Sequence, residues 1–138
     1  MTLRRILHVD DDEDIRTIVE IALKVVGDFE LRQCRDGLSA IAEAQAYKPD
    51  LLLLDVMMPD VSGQEVRAEI AKLPGCETAE TIYVTAKAED DFTDKLRADG
   101  ALDVITKPFD PMTLASEIRD IWQRARRGTG PVSVPDPG

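Results

Sequence analysis

Residues 51–59 of this chain read Leu-Leu-Leu-Leu-Asp-Val-Met-Met-Pro, an unbroken apolar run that ends in the carboxylate of Asp55. Four consecutive apolar residues are typical of a central strand that is buried on both faces of a sheet. A carboxylate where such a strand reaches the surface contributes little to packing and is well placed for chemistry. Asp55 is therefore our first candidate functional residue.

Two other strand-like runs also end in charged residues. Ile-Leu-His-Val at residues 6–9 leads into Asp10 and Asp11, and Val-Ile-Thr at residues 104–106 leads into Lys107. In open parallel sheets, ligands bind outside the carboxyl ends of the strands, at one edge of the sheet. We expect these acids and the lysine to share one pocket with Asp55.

The whole chain alternates between short apolar runs and helical patterns. Strands are predicted at Arg5–Val9, Glu30–Cys34, Leu51–Asp55, Thr81–Thr85 and Leu102–Thr106. One helix between each pair of strands implies parallel crossovers and a sheet that is covered on both faces. The predicted fold class is therefore α/β, with a doubly wound five-stranded sheet.

The helical patterns differ in strength. The first is the clearest: Asp12 is a plausible N-cap, and an apolar stripe at helical spacing precedes Gly27. The expected apolar positions are Ile15, Ile18, Val19, Ala22, Leu23 and Val26 in this helix, Leu38, Ile41, Ala42 and Gln45 in the second, and Val66, Ile70 and Leu73 in the third. A weak fourth helix at 89–98 offers Phe92 and Leu96, and the fifth is predicted from about Pro111 to Arg126.

Composition excludes several classes of protein. The 138 residues carry 27 acids against 17 bases, a net charge of −10, which repels phosphate backbones and argues against direct nucleic-acid binding. No apolar stretch approaches the roughly 18 residues that a membrane span needs, and the N-terminal apolar run is too short for a signal peptide. We expect a cytoplasmic protein with no membrane contact, in which both cysteines are reduced.

The chain reads as one domain with a short extension. Residues 1–127 carry all the predicted strands and helices, and residues 128–138 contain three prolines and three glycines. Such a composition cannot support a packed core, so we expect a flexible tail or the stub of a linker there.

The residues at the strand ends favour phosphoryl chemistry. Three carboxylates in one pocket repel one another unless a cation neutralises them, and an all-oxygen site suits Mg²⁺. Lys107 adds a positive charge and Thr85 a hydroxyl at the same edge. Capping of the first helix explains Asp12, but not the convergence of Asp10, Asp11 and Asp55. His8 is more simply a strand residue that faces a helix.

Four segments, in the right order over about residues 3–126, resemble the receiver domain of two-component response regulators. They are residues 8–12 (His-Val-Asp-Asp-Asp), 54–63 (Leu-Asp-Val-Met-Met-Pro-Asp-Val-Ser-Gly), 84–87 (Val-Thr-Ala-Lys), and 100–101 (Gly-Ala) with 106–109 (Thr-Lys-Pro-Phe). The resemblance implies a flavodoxin-like, three-layer fold with strand order 2-1-3-4-5. It also implies a single-domain regulator similar to the chemotaxis regulators, or a receiver excised from a longer protein.

The resemblance also implies roles for the residues of the site. Asp55 would accept a phosphoryl group from a phosphohistidine of a sensor histidine kinase or histidine phosphotransfer protein. Asp11, Asp55 and the backbone carbonyl of Met57 would bind Mg²⁺ directly, and Asp10 through a water. Lys107 and Thr85 would each contact a phosphoryl oxygen, and the movement of Thr85 would switch a surface that controls a downstream protein.

Some positions depart from the usual receiver pattern. Val104 stands where receivers commonly have a Tyr or Phe, so the surface of the fourth helix, fifth strand and fifth helix would be read without an aromatic rotor. Phe92 and Trp122 are candidates for that partner surface, although packing explains Trp122 equally simply. Met57 and Lys87 flank the path of an attacking water, and an apolar Met57 predicts slow self-dephosphorylation.

Two other classes of function are weighed against the receiver. An aspartate-nucleophile phosphatase usually has a second acid two residues after the nucleophile, where this chain has Met57. A pseudo-receiver that is never phosphorylated would not need the intact set of Asp11, Asp55, Thr85 and Lys107. The sequence leaves open the cognate kinase, the target, and a homodimer through the face between the fourth and fifth helices.

Overall fold

The computed structural model describes residues 2–86 and 89–128. The elements are β1 (Arg5–Val9), α1 (Glu13–Glu20) with a π-helical segment (Ile21–Val26), β2 (Glu30–Cys34), α2 (Gly37–Tyr47), β3 (Leu51–Asp55), α3 (Gly63–Ala71), β4 (Glu80–Thr85), α4 (Asp90–Ala98), β5 (Asp103–Thr106) and α5 (Leu114–Gly128). Lys87 and residues 129–138 lie outside the described part of the chain, and with them the expectations of a dephosphorylation-tuning lysine and a flexible tail.

The five strands form one parallel sheet in the order β2-β1-β3-β4-β5. Two apolar cores cover its faces, one contributed mainly by α1 and α5 and the other by α2, α3 and α4. The predicted doubly wound α/β fold and its strand order are confirmed. All positions of β3 are buried, as its unbroken apolar run predicted.

The strand ends are level at the edge where the charged residues lie. Val9 pairs with Leu54, Asp55 with Val84, and Thr85 with Thr106. The next residues along the chain, Asp10 after β1 and Lys107 after β5, therefore leave the sheet beside Asp55. The register of the buried strands is what gathers the candidate site residues.

The first helix departs from the predicted periodicity in its second half. The Gly27 N–H donates to the Ala22 carbonyl at 3.0 Å, a bond between residues five apart, and residues 21–26 are π-helical. The wider turn changes which side chains face the core, so the prediction that Val26 belongs to the apolar stripe is wrong: Val26 is 43% exposed. Ala22 and Leu23 are buried, as predicted.

The predicted apolar face of α2 is only partly correct, because Ile41 packs against the core and the other three predicted positions do not. Leu38 is 64% exposed, and Ala42 and Gln45 are exposed with it, whereas Ala40 and Ala44 face the core. Small residues let α2 approach the sheet and α3 closely, and a Cβ on Gly37 would overlap the side chain of Val61. A search for large apolar residues misplaces this face because the fully buried residues of α2 are Gly37, Ala40 and Ala44.

The remaining helices agree with the sequence apart from their ends. Val66 and Ile70 of α3 and Leu96 of α4 are buried. Ser62 and Glu65 form a capping box at the start of α3. α5 begins at Leu114 rather than at Pro111, after a turn in which the Asp110 carbonyl accepts from Thr113 and Leu114. Among the described residues, no helix combines the length and apolar character that a membrane crossing requires.

Gly27 packs closely against α5 at the end of the π-helical segment, and a substitution there tests this packing. A Cβ at this position would lie 2.7 Å from the Ala115 Cβ and 3.0 Å from the Leu23 carbonyl oxygen. We expect Gly27→Ala to lower the free energy of unfolding by about 2 kcal/mol through overpacking. Urea denaturation measures this, with Lys24→Ala as the control, because Lys24 is exposed and makes one loose ion pair at 3.9 Å. A Gly27→Ala protein as stable as the control would contradict this view of the packing.

Candidate functional site

Three carboxylates meet at the carboxyl ends of β1 and β3. Asp10 and Asp55 are buried and Asp11 is exposed, and one oxygen from each lies within 4.8 Å of the other two. The structure thus brings together the three acids that the sequence predicted to converge. One of the three faces solvent, so the cluster is open to an ion from solution.

Asp10 is held in place from several directions. Its Oδ1 accepts from the Asp12 N–H at 2.9 Å, and its own N–H donates to the Cys34 carbonyl at 3.1 Å. The Arg16 guanidinium donates to the Asp10 carbonyl at 2.7 Å. Sequence reasoning missed Arg16, whose only signal is its place one turn after the helix cap. These contacts define where the buried carboxylate points.

Lys107 supplies the positive charge of the site. Its Nζ lies 2.9 Å from Asp10 Oδ2 and 3.7 Å from Asp55 Oδ1. Burial lowers the pKa of this ammonium, but the hydrogen bond and the charge of Asp10 more than offset burial, so the pKa is raised. Lys107 is therefore a permanent cation at neutral pH. The backbone N–H of Lys107 donates to the Thr85 carbonyl at 2.8 Å, and the peptide bond between Lys107 and Pro108 is cis.

The carboxyl group of Asp55 titrates abnormally. Burial, and then the charge of Asp10, raise its pKa to about 6, although Lys107 and the N–H of Met57 act in the opposite direction. That N–H donates to Asp55 Oδ1 at 3.3 Å. At neutral pH the folded protein consequently carries a carboxylate that its surroundings disfavour. A bound cation would relieve this cost.

A cavity of about 230 Å³ opens above Asp55 and is lined by Asp55, Met57, Thr85, Ala86 and Lys107. This volume is several times the roughly 30 Å³ that one water molecule occupies, so a phosphoryl group fits. Thr85 is buried at the end of β4, whereas the Met57 side chain is 66% exposed. The cavity therefore joins a carboxylate, an ammonium and a threonine residue in one space.

The donor set fits Mg²⁺. Three carboxylates and one ammonium leave a formal charge of −2 among Asp10, Asp11, Asp55 and Lys107, which one divalent cation balances. The ligands are oxygen atoms, which Mg²⁺ prefers, and the exposed side of the cluster leaves room for the waters that this ion retains. Within the described residues, the cluster consists of three aspartates, so all its side-chain ligand atoms are carboxylate oxygens.

His8 lies near the site but belongs to the core. It is fully buried, and its Nδ1 lies 3.0 Å from the Gln33 amide nitrogen. Burial, with smaller contributions from the charges of Lys107 and Arg16, lowers its pKa to about 3. A neutral imidazole closed to solvent suits packing, as expected for a strand residue, and is inaccessible for a phosphorelay.

The candidate partner-surface residues have different environments. Trp122 is 4% exposed, packs in the core on the α1 and α5 side, and has the Arg126 guanidinium 4.1 Å from its ring. Packing accounts for Trp122, and its assignment to a partner-facing surface is wrong. Phe92 and Val104 are partly buried against the other core. Tyr83, which pairs with Val104 across the sheet, is buried.

Comparisons with known proteins agree with this geometry. The family model of the response regulator receiver domain matches residues 6–119. The transcriptional regulatory protein CseB of Streptomyces avermitilis is 37% identical over 131 residues, which cover 94% of this chain and 54% of that protein. The phosphate regulon transcriptional regulatory protein PhoB of Pseudomonas aeruginosa is 35% identical over 131 residues, with coverages of 95% and 55%. The chain thus spans about half the length of these relatives.

Solved structures show the same fold. The chemotaxis protein CheY4 of Vibrio cholerae superposes with a TM-score of 0.78 at 28% identity, over 87% of this chain and 99% of that one. The receiver domain of DrrB, in a structure described as BeF3-activated, gives a TM-score of 0.74 at 28% identity, with coverages of 89% and 100%.

The raised pKa of Asp55 predicts that this residue costs stability at neutral pH. Its folded pKa of about 6 exceeds the ordinary 3.8, so the folded state binds more protons than the unfolded state between these values, and stability falls as the pH rises through that window. We expect Asp55→Asn to be more stable than the unchanged protein by about 2 kcal/mol at pH 8 in a chelator, and equally stable below about pH 3, where the carboxyl is protonated in both states.

Urea denaturation at both pH values measures the difference, and exposed Asp120→Asn is the control. Added Mg²⁺ should stabilise the unchanged protein and leave Asp55→Asn nearly unaffected. A stability difference that does not change with pH would show that the charge on Asp55 does not destabilise the folded protein.

Proposed function

Because this chain belongs to the response regulator receiver family and is a phosphorylatable receiver of two-component signalling, we propose that Asp55 is its phosphoacceptor. One observation carries the assignment: Asp55 lies on the wall of a cavity with Thr85 and Lys107, within 4.8 Å of two further carboxylates. The protein is a signalling receiver rather than an enzyme that turns over a separate substrate.

The proposed nucleophile is Oδ2 of Asp55. The other oxygen, Oδ1, accepts from the Met57 N–H at 3.3 Å and faces Lys107 at 3.7 Å. As Oδ2 bonds to phosphorus, the bond between phosphorus and the imidazole nitrogen of a partner's phosphohistidine breaks, and that nitrogen keeps the electron pair and takes up a proton. The partner is a sensor histidine kinase or a histidine phosphotransfer protein.

Lys107 and Thr85 stabilise the transferred group in this scheme. The ammonium, which Asp10 holds at 2.9 Å, needs only a small shift to contact a phosphoryl oxygen on Asp55. The Thr85 hydroxyl would hydrogen-bond a second oxygen. Positioned charges of this kind supply most of the catalysis in phosphoryl transfer.

Mg²⁺ is the proposed cofactor. Asp11, Asp55 and the Met57 carbonyl would hold it, with Asp10 as an indirect ligand. When bound, the ion would neutralise negative charge on the phosphoryl oxygens and on the acids of the site. The carboxylate of Asp10 remains paired with Lys107, which keeps both groups aligned.

The output surface is proposed to be that formed by α4, β5 and α5. Val104 and Phe92 lie partly buried there, and the hydroxyl of Thr85 would couple the phosphoryl group to this surface as it moves. CseB and PhoB are transcriptional regulatory proteins, so the downstream partner is proposed to be a DNA-binding protein or domain, while this acidic receiver is proposed to make no DNA contact itself. A homodimer through the same surface is a second form of output that the test must include.

The phosphoacceptor assignment is tested by intact mass. We expect the full chain with Mg²⁺ and acetyl phosphate to gain one phosphoryl group, and Asp55→Asn to gain none. Asp120→Asn, with the same chemical change on α5, should behave like the unchanged protein. Absence of any gain, in folded protein that binds Mg²⁺, would favour a pseudo-receiver that acts by partner binding alone.

The apolar Met57 predicts a long-lived phosphoryl group. An amide at this position can orient an attacking water, so we expect Met57→Asn to dephosphorylate several-fold faster than the unchanged protein. Loss of the added mass over time, after removal of acetyl phosphate, gives the rate. Met112→Asn is the matched control, because Met112 is similarly exposed and does not line the cavity. Equal rates for Met57→Asn and Met112→Asn would count against this role.

A further inference from the structure

The loop between β3 and α3, residues 56–62, carries part of the site. Its second residue, Met57, holds Asp55 Oδ1 through its N–H. The loop is closed at its base, because the Gly63 N–H donates to the Val56 carbonyl at 3.0 Å. Glycine is required at this closure, since a Cβ on Gly63 would lie 2.5 Å from the Asp55 carbonyl oxygen.

Asp60, the fifth residue of this loop, binds the start of α2. Its Oδ1 accepts from the Gly37 N–H at 3.2 Å and its Oδ2 from the Leu38 N–H at 3.1 Å. These are the first two residues of α2, whose N–H groups have no partner within the helix. Asp36 already caps this helix locally by accepting from the Ser39 N–H at 2.7 Å. The contact of Asp60 is therefore a link between distant segments.

The segment between β2 and α2 also binds the residues that follow β1, where Asp10 and Asp11 lie. The β2–α2 corner, residues 34–38, accepts the Asp10 N–H at the Cys34 carbonyl, 3.1 Å away. The segment that carries Asp10 and Asp11 and the loop that follows Asp55 are thus both hydrogen-bonded to residues 34–38, at points three to four residues apart.

We propose that Asp60 is a positioning residue, which sets the distance between the acids after β1 and the loop after β3 by tying that loop to the β2–α2 corner. The proposal rests on the proposed Mg²⁺-dependent phosphorylation of Asp55 and adds a determinant of its metal site. Mg²⁺ demands near-ideal octahedral geometry, so small changes in the separation of its ligands weaken binding. Residues that only orient metal ligands commonly alter affinity about 10-fold or more when changed.

The first test is Mg²⁺ binding to the full, unphosphorylated chain by titration calorimetry. We expect Asp60→Asn, which keeps one acceptor oxygen and sets an NH2 group against the second N–H donor, to weaken Mg²⁺ binding about fivefold, and Asp60→Ala, which removes both acceptors, to weaken it about tenfold. Asp50→Asn is the matched control: Asp50 Oδ2 accepts the N–H groups of Arg4 and Arg5 at 3.0 and 2.9 Å, away from the site. This variant should bind Mg²⁺ within twofold of the unchanged protein.

A second measurement does not depend on the metal. In a chelator, the amide hydrogens of Met57 and Gly63 should exchange several-fold faster with solvent in Asp60→Asn than in Asp50→Asn, because only the former releases the loop. At saturating Mg²⁺, the maximal rate of phosphorylation by acetyl phosphate should recover in Asp60→Asn to within twofold, since the nucleophile itself is unchanged.

The outcomes separate this inference from the proposed function. If the unchanged protein takes up phosphate and Asp60→Asn matches Asp50→Asn in both affinity and exchange, Asp60 has no positioning role and the inference fails alone. If the unchanged protein takes up no phosphate, the proposed function fails, and the exchange rates still decide whether Asp60 holds the loop.

Discussion

The contact between Lys107 Nζ and Asp10 Oδ2, at 2.9 Å, joins the end of β5 to the end of β1 across the edge of the sheet that carries the site. An ammonium and a buried carboxylate are each costly to remove from water, and together they are tolerable because each satisfies the other. Asp55 has no such exclusive partner, since Lys107 lies 3.7 Å from it. The site therefore contains one balanced pair and one carboxylate that remains in need of a cation or a phosphoryl group.

This imbalance links stability to signalling. Burial and the charge of Asp10 raise the pKa of Asp55, so at neutral pH the folded protein carries a carboxylate that its surroundings disfavour. Burial of β3 along its whole length offsets that free-energy cost, and Asp55 lies at the end of this strand. On the proposed function, binding of Mg²⁺ or transfer of a phosphoryl group to Asp55 would relieve this unfavourable charge. The same property that lowers stability thus makes the site responsive.

Sequence reasoning predicted the strands and the principal site residues for a definite physical reason, whereas the strand order came from the resemblance to receiver domains. Parallel strands buried on both faces read as continuous apolar runs, and the residues that follow them must emerge at one edge. It failed where the buried face does not consist of large side chains at regular spacing. Val26 is exposed because the end of the first helix is π-helical, and α2 buries Gly37, Ala40 and Ala44 instead of Leu38. Trp122 could not be placed, because one aromatic residue beside a helical stripe fits either a core or a surface.

The sequence by itself determined the alternation of strands and helices, the clustering of Asp10, Asp11, Asp55, Thr85 and Lys107, and the chemistry that such a set supports. These follow from local order along the chain and from the geometry common to all parallel sheets. Only the tertiary structure decided which acid pairs with Lys107, how far burial shifts the pKa of Asp55, and that Asp60 reaches the start of α2. Such properties depend on distances of a few ångströms between residues that are far apart in sequence, and local pattern contains no information about those distances.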